Sequence, residues 1–210
     1  FVLYPSVDPS IAAFKPSAPR GSELRVLFVG RLVERKGADD LLTSFAKLSN
    51  ELPNAVLEIV GEGPDMDRLR QLADTLGVRG RVTFAGTLRG RKLYERFAAA
   101  DVVAMPSRRT PSDVEGFGTI FLEAGAFGKP SIGTRSGGIP EAIVQGETGF
   151  LVGERDTAEL VDALRTTLGD PDLRARMGEN AARRVKGFDW EHGVARLLEL
   201  LDEPRAGPGN

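Results

Sequence analysis

The chain has 210 residues, no cysteine, one histidine, and 28 basic against 30 acidic side chains, for a formal charge of −2. That inventory excludes thiol catalysis and cysteine-ligated metals, and speaks against a general nucleic-acid or membrane-surface binder, which would be basic. Apolar residues at 41% and charged residues at 28% are ordinary for a globular protein, and no apolar run approaches the roughly 18 residues of a membrane-spanning helix.

Glycine (25 residues) and proline (13) are scattered through short motifs, which predicts many tight turns feeding regular elements. Phe1 to Ser6 has the look of a strand entered midway, with no initiator methionine and no signal-peptide layout. Residues 5–22, with Pro5, Pro9, Pro16, Pro19 and Gly21 among small residues, read as linker. From Leu24 the pattern alternates. A buried strand over 24–29 stops at Gly30, and Leu41, Leu42, Phe45, Ala46 and Leu48 predict a helix over 37–50. A strand over 55–60 is again stopped by glycine, and a helix over 64–76 has Pro64 in its first turn and Gly77 at its end. A strand at 81–85, a helix at 90–99, a strand at 101–105, a helix at 117–127 and a strand at 130–133 continue the series. A short helix follows Gly138-Ile-Pro140, then comes the apolar run Gly149-Phe-Leu-Val152. Three amphipathic helices at 155–168, 171–186 and 189–202 lead to a Pro/Gly tail from Asp202 that is expected to fray. This alternation predicts an α/β, Rossmann-like domain over 23–202, a parallel sheet with helices on both faces. Ligands of such sheets bind outside the carboxyl ends of the strands.

Two strand-to-helix junctions carry chemistry. The first, Gly30-Arg31-Leu-Val-Glu-Arg-Lys36-Gly37, turns the backbone at Gly30 and offers a guanidinium and an ammonium before a helix, which suits a diphosphate. Taken alone, it reads more simply as a solvated loop. The second, Glu115-Gly-Phe-Gly118-Thr-Ile-Phe-Leu-Glu123, bares backbone N–H groups at Gly116 and Gly118 where a helix begins. Glu115 precedes that helix and Glu123 lies roughly 9 Å further along its axis. Hydroxyls on either side of a diphosphate could then meet both carboxylates. Glu123 stands among Phe121, Leu122 and Ala124, where a glutamate seldom sits without a partner.

Further pieces stand in order: Gly61-Glu-Gly-Pro64, Val82 to Gly86, Gly128-Lys-Pro130, Gly137-Gly-Ile-Pro-Glu141 and Gly149 to Val152. Together with the two junctions, the series resembles the C-terminal, nucleotide-sugar-binding domain of retaining GT-B glycosyltransferases of group 1 (family four). The resemblance runs from about Tyr4 to Leu201. It departs from the family pattern by a shortened form of the motif at the domain junction, Pro5-Ser-Val-Asp8 with Phe14. It implies one lobe of a GT-B fold, with the acceptor-binding domain that would precede it absent from this sequence. Residues 1–22 would then be an interdomain linker and strand remnant, and 203–210 a flexible tail.

The activity implied by the resemblance is transfer of a hexosyl-type sugar from a nucleoside-diphosphate sugar to an acceptor hydroxyl, with retention and with no metal or other cofactor. Arg31, Lys36 and Glu115 would be the catalytic set. Arg31 and Lys36 would hold the diphosphate and stabilise the leaving group, and Glu115 would bind a hydroxyl of the transferred sugar. Gly30 and the backbone N–H groups of Gly116, Phe117, Gly118 and Thr119 would assist, Glu123 would hold the ribose, and Thr87 and Leu88 would lie against the base. A front-face route assisted by the donor phosphate is implied. Glu115 and Glu123 are therefore not a glycosidase pair, which needs carboxyls about 5–5.5 Å apart. The acceptor (a sugar, a lipid-linked sugar or a small natural product) would be read by the missing domain, and nucleic acid is not an expected partner. The protein would be cytoplasmic, at most peripheral at the inner face of a membrane, and this fragment would bind nucleotide without transferring sugar. The rivals are an epimerase or phosphorylase of the same architecture, and a module that senses sugar nucleotides without transfer.

Other features invite simpler readings. Asp65-Met-Asp67 spells a metal motif of a different fold, but in a first helical turn the two acids point to different faces and suit the helix dipole. Gly61-Glu-Gly-Pro64 lacks the remainder of a dinucleotide fingerprint. Arg89, Arg91, Lys92 and Arg96 are expected on a solvated helix face, and Arg108 and Arg109 facing the cleft. His192 is expected on a surface helix, and Phe188 and Trp190 at a helix start, anchoring the terminal helices.

Overall fold

The apolar runs that stop at glycine become the strands of one parallel sheet. The computed structural model describes residues 21–111 and 113–188, together with Val7, Ile11, Phe14, Lys15, Val194 and Leu198. The strands are β1 (Leu24–Val29), β2 (Ala55–Val60), β3 (Val82–Gly86), β4 (Val102–Ala104), β5 (Ser131–Thr134) and β6 (Gly149–Val152), in the order β3-β2-β1-β4-β5-β6. Every neighbouring pair is parallel. The helices are α1 (Ala38–Leu48), α2 (Met66–Thr75), α3 (Arg91–Ala99), α4 (Thr119–Ala126), α5 (Ile139–Ala142), α6 (Thr157–Gly169) and α7 (Pro171–Val185). Each expected element from β1 to α7 is present, with its ends displaced by two residues at most. The helix expected over 189–202 lies outside the described residues, save Val194 and Leu198.

From β1 the chain builds outward through β2 to β3, then crosses back beyond β1 to β4 and continues the other way to β6. Right-handed crossovers in opposite directions put α1 and α2 on one face and α4 on the other. Helix α6 packs on α1, and α7 on α4, completing both layers. Between them Val26, Leu27, Phe28, Leu41, Leu42, Phe45, Val102, Val103 and Ile132 have no exposed surface. Burial of each large apolar side chain contributes about 1.5–3 kcal/mol. Helices α6 and α7 start where the Asp156 and Asp170 side chains accept from the N–H groups of Glu159 and Leu173, with Pro171 in the first turn of α7.

Beyond the strand ends the main chain stays paired. Gly30 N–H donates to Val60 O (3.0 Å), Leu32 N–H to Glu62 O (2.9 Å) and Asp65 N–H to Leu32 O (3.1 Å). Gly61 (φ +138°) and Gly63 permit this approach, since a Cβ on either would fall 1.9 Å from Gly30 O or 2.2 Å from Leu32 O. Gly61-Glu-Gly63 is thus a shelf under the loop after β1. Gly61→Ala should destabilise the chain by about 2–4 kcal/mol, from backbone strain plus the collision. Urea unfolding checks this; a change below about 0.5 kcal/mol, the scale of an ordinary surface substitution, would show that the shelf carries no strain.

On the solvated face of α3, the Arg96 side chain is 43% exposed and also reaches inward, its Nε 3.1 Å from Oε1 of Glu58, which is buried on β2. Arg91 pairs with Glu95 at 3.4 Å. Phe188 ends a 3-10 turn (Lys186–Phe188) and its ring meets Phe117 at 5.7 Å, while Trp190 and His192 lie outside the described residues. Before β1, Phe14 sets its ring edge-on to Tyr94 of α3 (5.7 Å) and to Phe127 at the end of α4 (5.6 Å), and Ile11 is buried. No helix among the described residues is long and apolar enough to cross a membrane.

Candidate functional site

Strands β1 and β4 are neighbours whose connections leave in opposite directions, and a crevice opens at such a reversal. The loop after β1 ends in a 3-10 turn, Glu34–Lys36, closed by Gly37 at φ +68°. A Cβ on Gly37 would fall 2.0 Å from Pro106 O, so the bare backbone lets this turn lie directly on the loop after β4. Arg108 N–H donates to Arg35 O at 2.8 Å and joins the two loops again.

The two expected anion junctions meet here, and they meet each other. Oε2 of Glu115 receives Arg35 Nη1 at 2.5 Å, Lys36 Nζ at 2.6 Å and Ser107 Oγ at 3.2 Å. Glu115 is buried, with 9% of its surface exposed. Arg35 Nε lies 2.7 Å from Asp113 Oδ2, yet its N–H is not aimed at an acceptor and is itself buried. Arg35, Ser107 and Asp113 were not singled out from the sequence. The available signal was position: Arg35 adjoins Lys36, and Ser107 and Asp113 lie in the loop that carries Glu115.

Arg108 corrects an expectation. Its side chain does not face the crevice but is buried at 3% exposure, bonded to Asp39 (2.9 and 3.0 Å) and Asp40 (2.6 Å) at the start of α1. Burial alone would raise the Asp39 pKa; the Arg108 hydrogen bonds and charge, with Arg68 nearby, outweigh it and hold that carboxyl below its usual value of 3.8. For Arg108, burial opposes the charged form, and the bonds to Asp39 and Asp40 overcome it and raise its pKa. Glu34, Asp39, Asp65, Arg68, Arg108 and Arg155 surround a pocket of about 290 Å³ beside the crevice. Arg109 is exposed, and its N–H donates to Glu154 at 3.0 Å.

The remaining expected residues take separate places. Arg31 is exposed, and its side chain has no hydrogen-bond or ion-pair partner among the described residues. Gly118, at φ +76°, caps α4 and brings no side chain of its own, so the N–H groups of Thr119 and Ile120 have no partner within the helix. A Cβ on Gly137 or Gly138 would fall 1.9 Å from Glu115 O or 2.0 Å from Gly116 O, so that loop supports the segment 115–118 from behind. Glu123 is half-buried on α4. Thr87 is exposed beyond β3, its N–H 3.4 Å from Glu62 Oε1, and Leu88 is half-buried against the core. Asp65 and Asp67 are taken up by Arg68 (3.1 Å) and Arg70 (3.6 Å). Among the described residues no group of three His, Asp or Glu is placed to hold a metal ion.

Known proteins resemble this chain in sequence and in fold. GDP-mannose-dependent alpha-(1-6)-phosphatidylinositol monomannoside mannosyltransferase of Mycolicibacterium smegmatis is 39% identical over 184 residues, which are 86% of this chain and 48% of that protein. The chain thus spans about half the length of that relative. The crystal structure of HepE from Anabaena with UDP-glucose superposes at a TM-score of 0.77 with 26% identity, over 96% of this chain and 55% of that one. The separately crystallised C-terminal domain of a glycosyl transferase group 1 protein, LpcC from Francisella tularensis, superposes at 0.70 with 25% identity, over 88% of this chain and 94% of that one. Residues 10–184 match the family model of the glycosyl transferases group 1. With its sheet order and its crevice at β1 and β4, the chain belongs to the group 1 glycosyltransferases and has the Rossmann-like fold of a GT-B lobe.

Proposed function

We propose that this chain is the donor-binding lobe of a retaining, metal-independent glycosyltransferase that moves a hexosyl-type sugar from a nucleoside-diphosphate sugar to an acceptor hydroxyl. The observation that carries the reading is the meeting of Lys36 with Glu115 across the crevice, beside the uncapped start of α4. Arg31 and Lys36 bind the diphosphate, and the N–H groups from Gly116 to Thr119 add the partial positive charge of a helix N-terminus. Those cations meet the charge that grows on the leaving phosphate, the task a metal performs elsewhere. Glu115 accepts a hydroxyl of the transferred sugar, Glu123 accepts the ribose hydroxyls, and Thr87 and Leu88 flank the base. In the front-face route the bond from C1 to the phosphate oxygen breaks while the acceptor oxygen bonds to C1 on the same face. The acceptor proton passes to the departing phosphate, and the configuration is retained.

GDP-mannose is the first donor to test, because the 39% identical relative is named for it; HepE was crystallised with UDP-glucose. Calorimetric titration of the chain with GDP, UDP and ADP in EDTA, then with the matching sugar nucleotides, should show one base preferred and binding without metal. Absence of binding to all of them would sink the reading. The 210-residue chain should bind and not transfer, because the acceptor wall of the cleft belongs to a second domain; turnover by this chain alone would refute that. In the complete protein, product analysis should find a new glycosidic bond of retained configuration, whereas an epimerised sugar nucleotide would place the chain with the rival class.

A further inference from the structure

We propose that, without donor, Glu115 is an internal counter-ion seated where a donor phosphate oxygen binds, and that Arg35 is a further phosphate-binding cation of that seat beside Lys36. The proposal rests on the reading that this crevice takes a nucleoside diphosphate. One oxygen, Oε2 of Glu115, collects a guanidinium at 2.5 Å, an ammonium at 2.6 Å and a hydroxyl at 3.2 Å. Two cations and a hydroxyl converging on one buried anionic oxygen is the environment that holds a non-bridging phosphate oxygen. The Arg35 Nε–H is buried with no acceptor, although Asp113 Oδ2 is 2.7 Å away. A carboxylate oxygen fills one position of the guanidinium fork, and a tetrahedral phosphate has a second oxygen for the other.

Charge supports the same conclusion. Arg35 and Lys36 are matched by Glu115 and Asp113, so the cluster closes on itself when empty. A diphosphate offers more acceptor oxygens than the carboxylate and displaces it from both cations. Glu115 is then released beside the start of α4, where the transferred sugar lies, and its carboxylate turns to the sugar hydroxyls. When the nucleoside diphosphate departs, Glu115 reclaims Arg35 and Lys36. The backbone need not move, because Arg108 N–H holds Arg35 O, and Gly137 and Gly138 lean on Glu115 and Gly116. Arg31 takes no part in the exchange, having no partner among the described residues to surrender.

The exchange predicts effects of opposite sign from one substitution. Glu115→Gln should tighten binding of GDP or UDP, whichever the wild type prefers, about tenfold, since a neutral amide holds two cations more weakly. The same variant should lose affinity for the matching sugar nucleotide relative to that nucleoside diphosphate, because its sugar contact is weakened. Asp113→Asn, which neutralises a carboxylate exposed on its own side of the pair, should tighten the nucleoside diphosphate about two- to threefold, and Arg35→Gln should weaken it about tenfold. Inorganic pyrophosphate should follow the nucleoside diphosphate in every variant. A Glu115→Gln chain that is folded by circular dichroism but binds nucleoside diphosphate no tighter than wild type overturns the exchange. If that variant fails to fold, no tightening in Asp113→Asn together with no loss in Arg35→Gln does the same. Wild-type chain that binds no nucleotide would instead overturn the reading on which the exchange rests, so the two failures are distinguishable.

Discussion

Lys36→Ala should raise the dissociation constant for the preferred nucleoside diphosphate by roughly 10- to 150-fold, the range expected when a charged hydrogen bond worth about 1.5–3 kcal/mol is lost. Lys36 lies on the turn that Gly37 and Arg108 N–H fix against the loop after β4, so the ammonium is already in place when the ligand arrives. The protein itself should tolerate the change: Glu115 keeps Arg35 at 2.5 Å, so no buried charge is left unpaired, and the fold loses about 1 kcal/mol, the scale of one net hydrogen bond. Calorimetry of the variant, set beside its urea unfolding curve, separates the two effects. Unchanged affinity would remove Lys36 from the site, and a stability loss as large as the binding loss would make it a structural residue. Arg31→Ala should weaken binding with no change in stability, because Arg31 has no partner among the described residues to leave behind.

Arg108→Leu should cost about 3 kcal/mol or more of folding stability at neutral pH, because it removes a buried cation, strands Asp40 and leaves Asp39 only Arg68 at 3.3 Å. For a chain of this length that is a fall in Tm of roughly 6–12 °C. The effect depends on pH with a definite sign. The folded-state pKa of Asp39 is depressed below 3.8, so its pairing with Arg108 is fully present above the unfolded value and is lost as pH falls through the folded one. The stability gap between wild type and variant should be widest near neutrality and should narrow as pH drops below about 3.8. Urea unfolding at several pH values tests this; a gap that stays constant or widens in acid would show that Arg108 acts through packing and not through charge.

Local order could be read from the sequence because local order has local causes. Alternating apolar periods, and glycines placed where a strand must stop, put every element from β1 to α7 within two residues of its observed ends. The two junctions were also legible, since a parallel sheet that reverses direction brings the ends of its strands together. Partnerships among charges were not. Arg96 lies on the expected solvated face but also pairs with buried Glu58, while Arg108, expected in the crevice, is buried against α1. Along the chain nothing sets Arg35 apart from its neighbour Lys36. Each of these pairings joins residues dozens of positions apart, with Arg35 and Glu115 separated by 80. No spacing rule along the chain distinguishes one exposed arginine from another until the fold has brought its carboxylate into place.

The glycines that support both loops have a consequence for how this lobe can diversify. Gly61 and Gly63 press against Gly30 O and Leu32 O, and Gly137 and Gly138 against Glu115 O and Gly116 O, so these segments are braced by main chain on main chain. That bracing runs through backbone atoms and not through the side chains at 33 and 34. Those two positions can change while the framework beneath them keeps its shape. Such a scaffold separates the stability of the framework from the chemistry displayed on it.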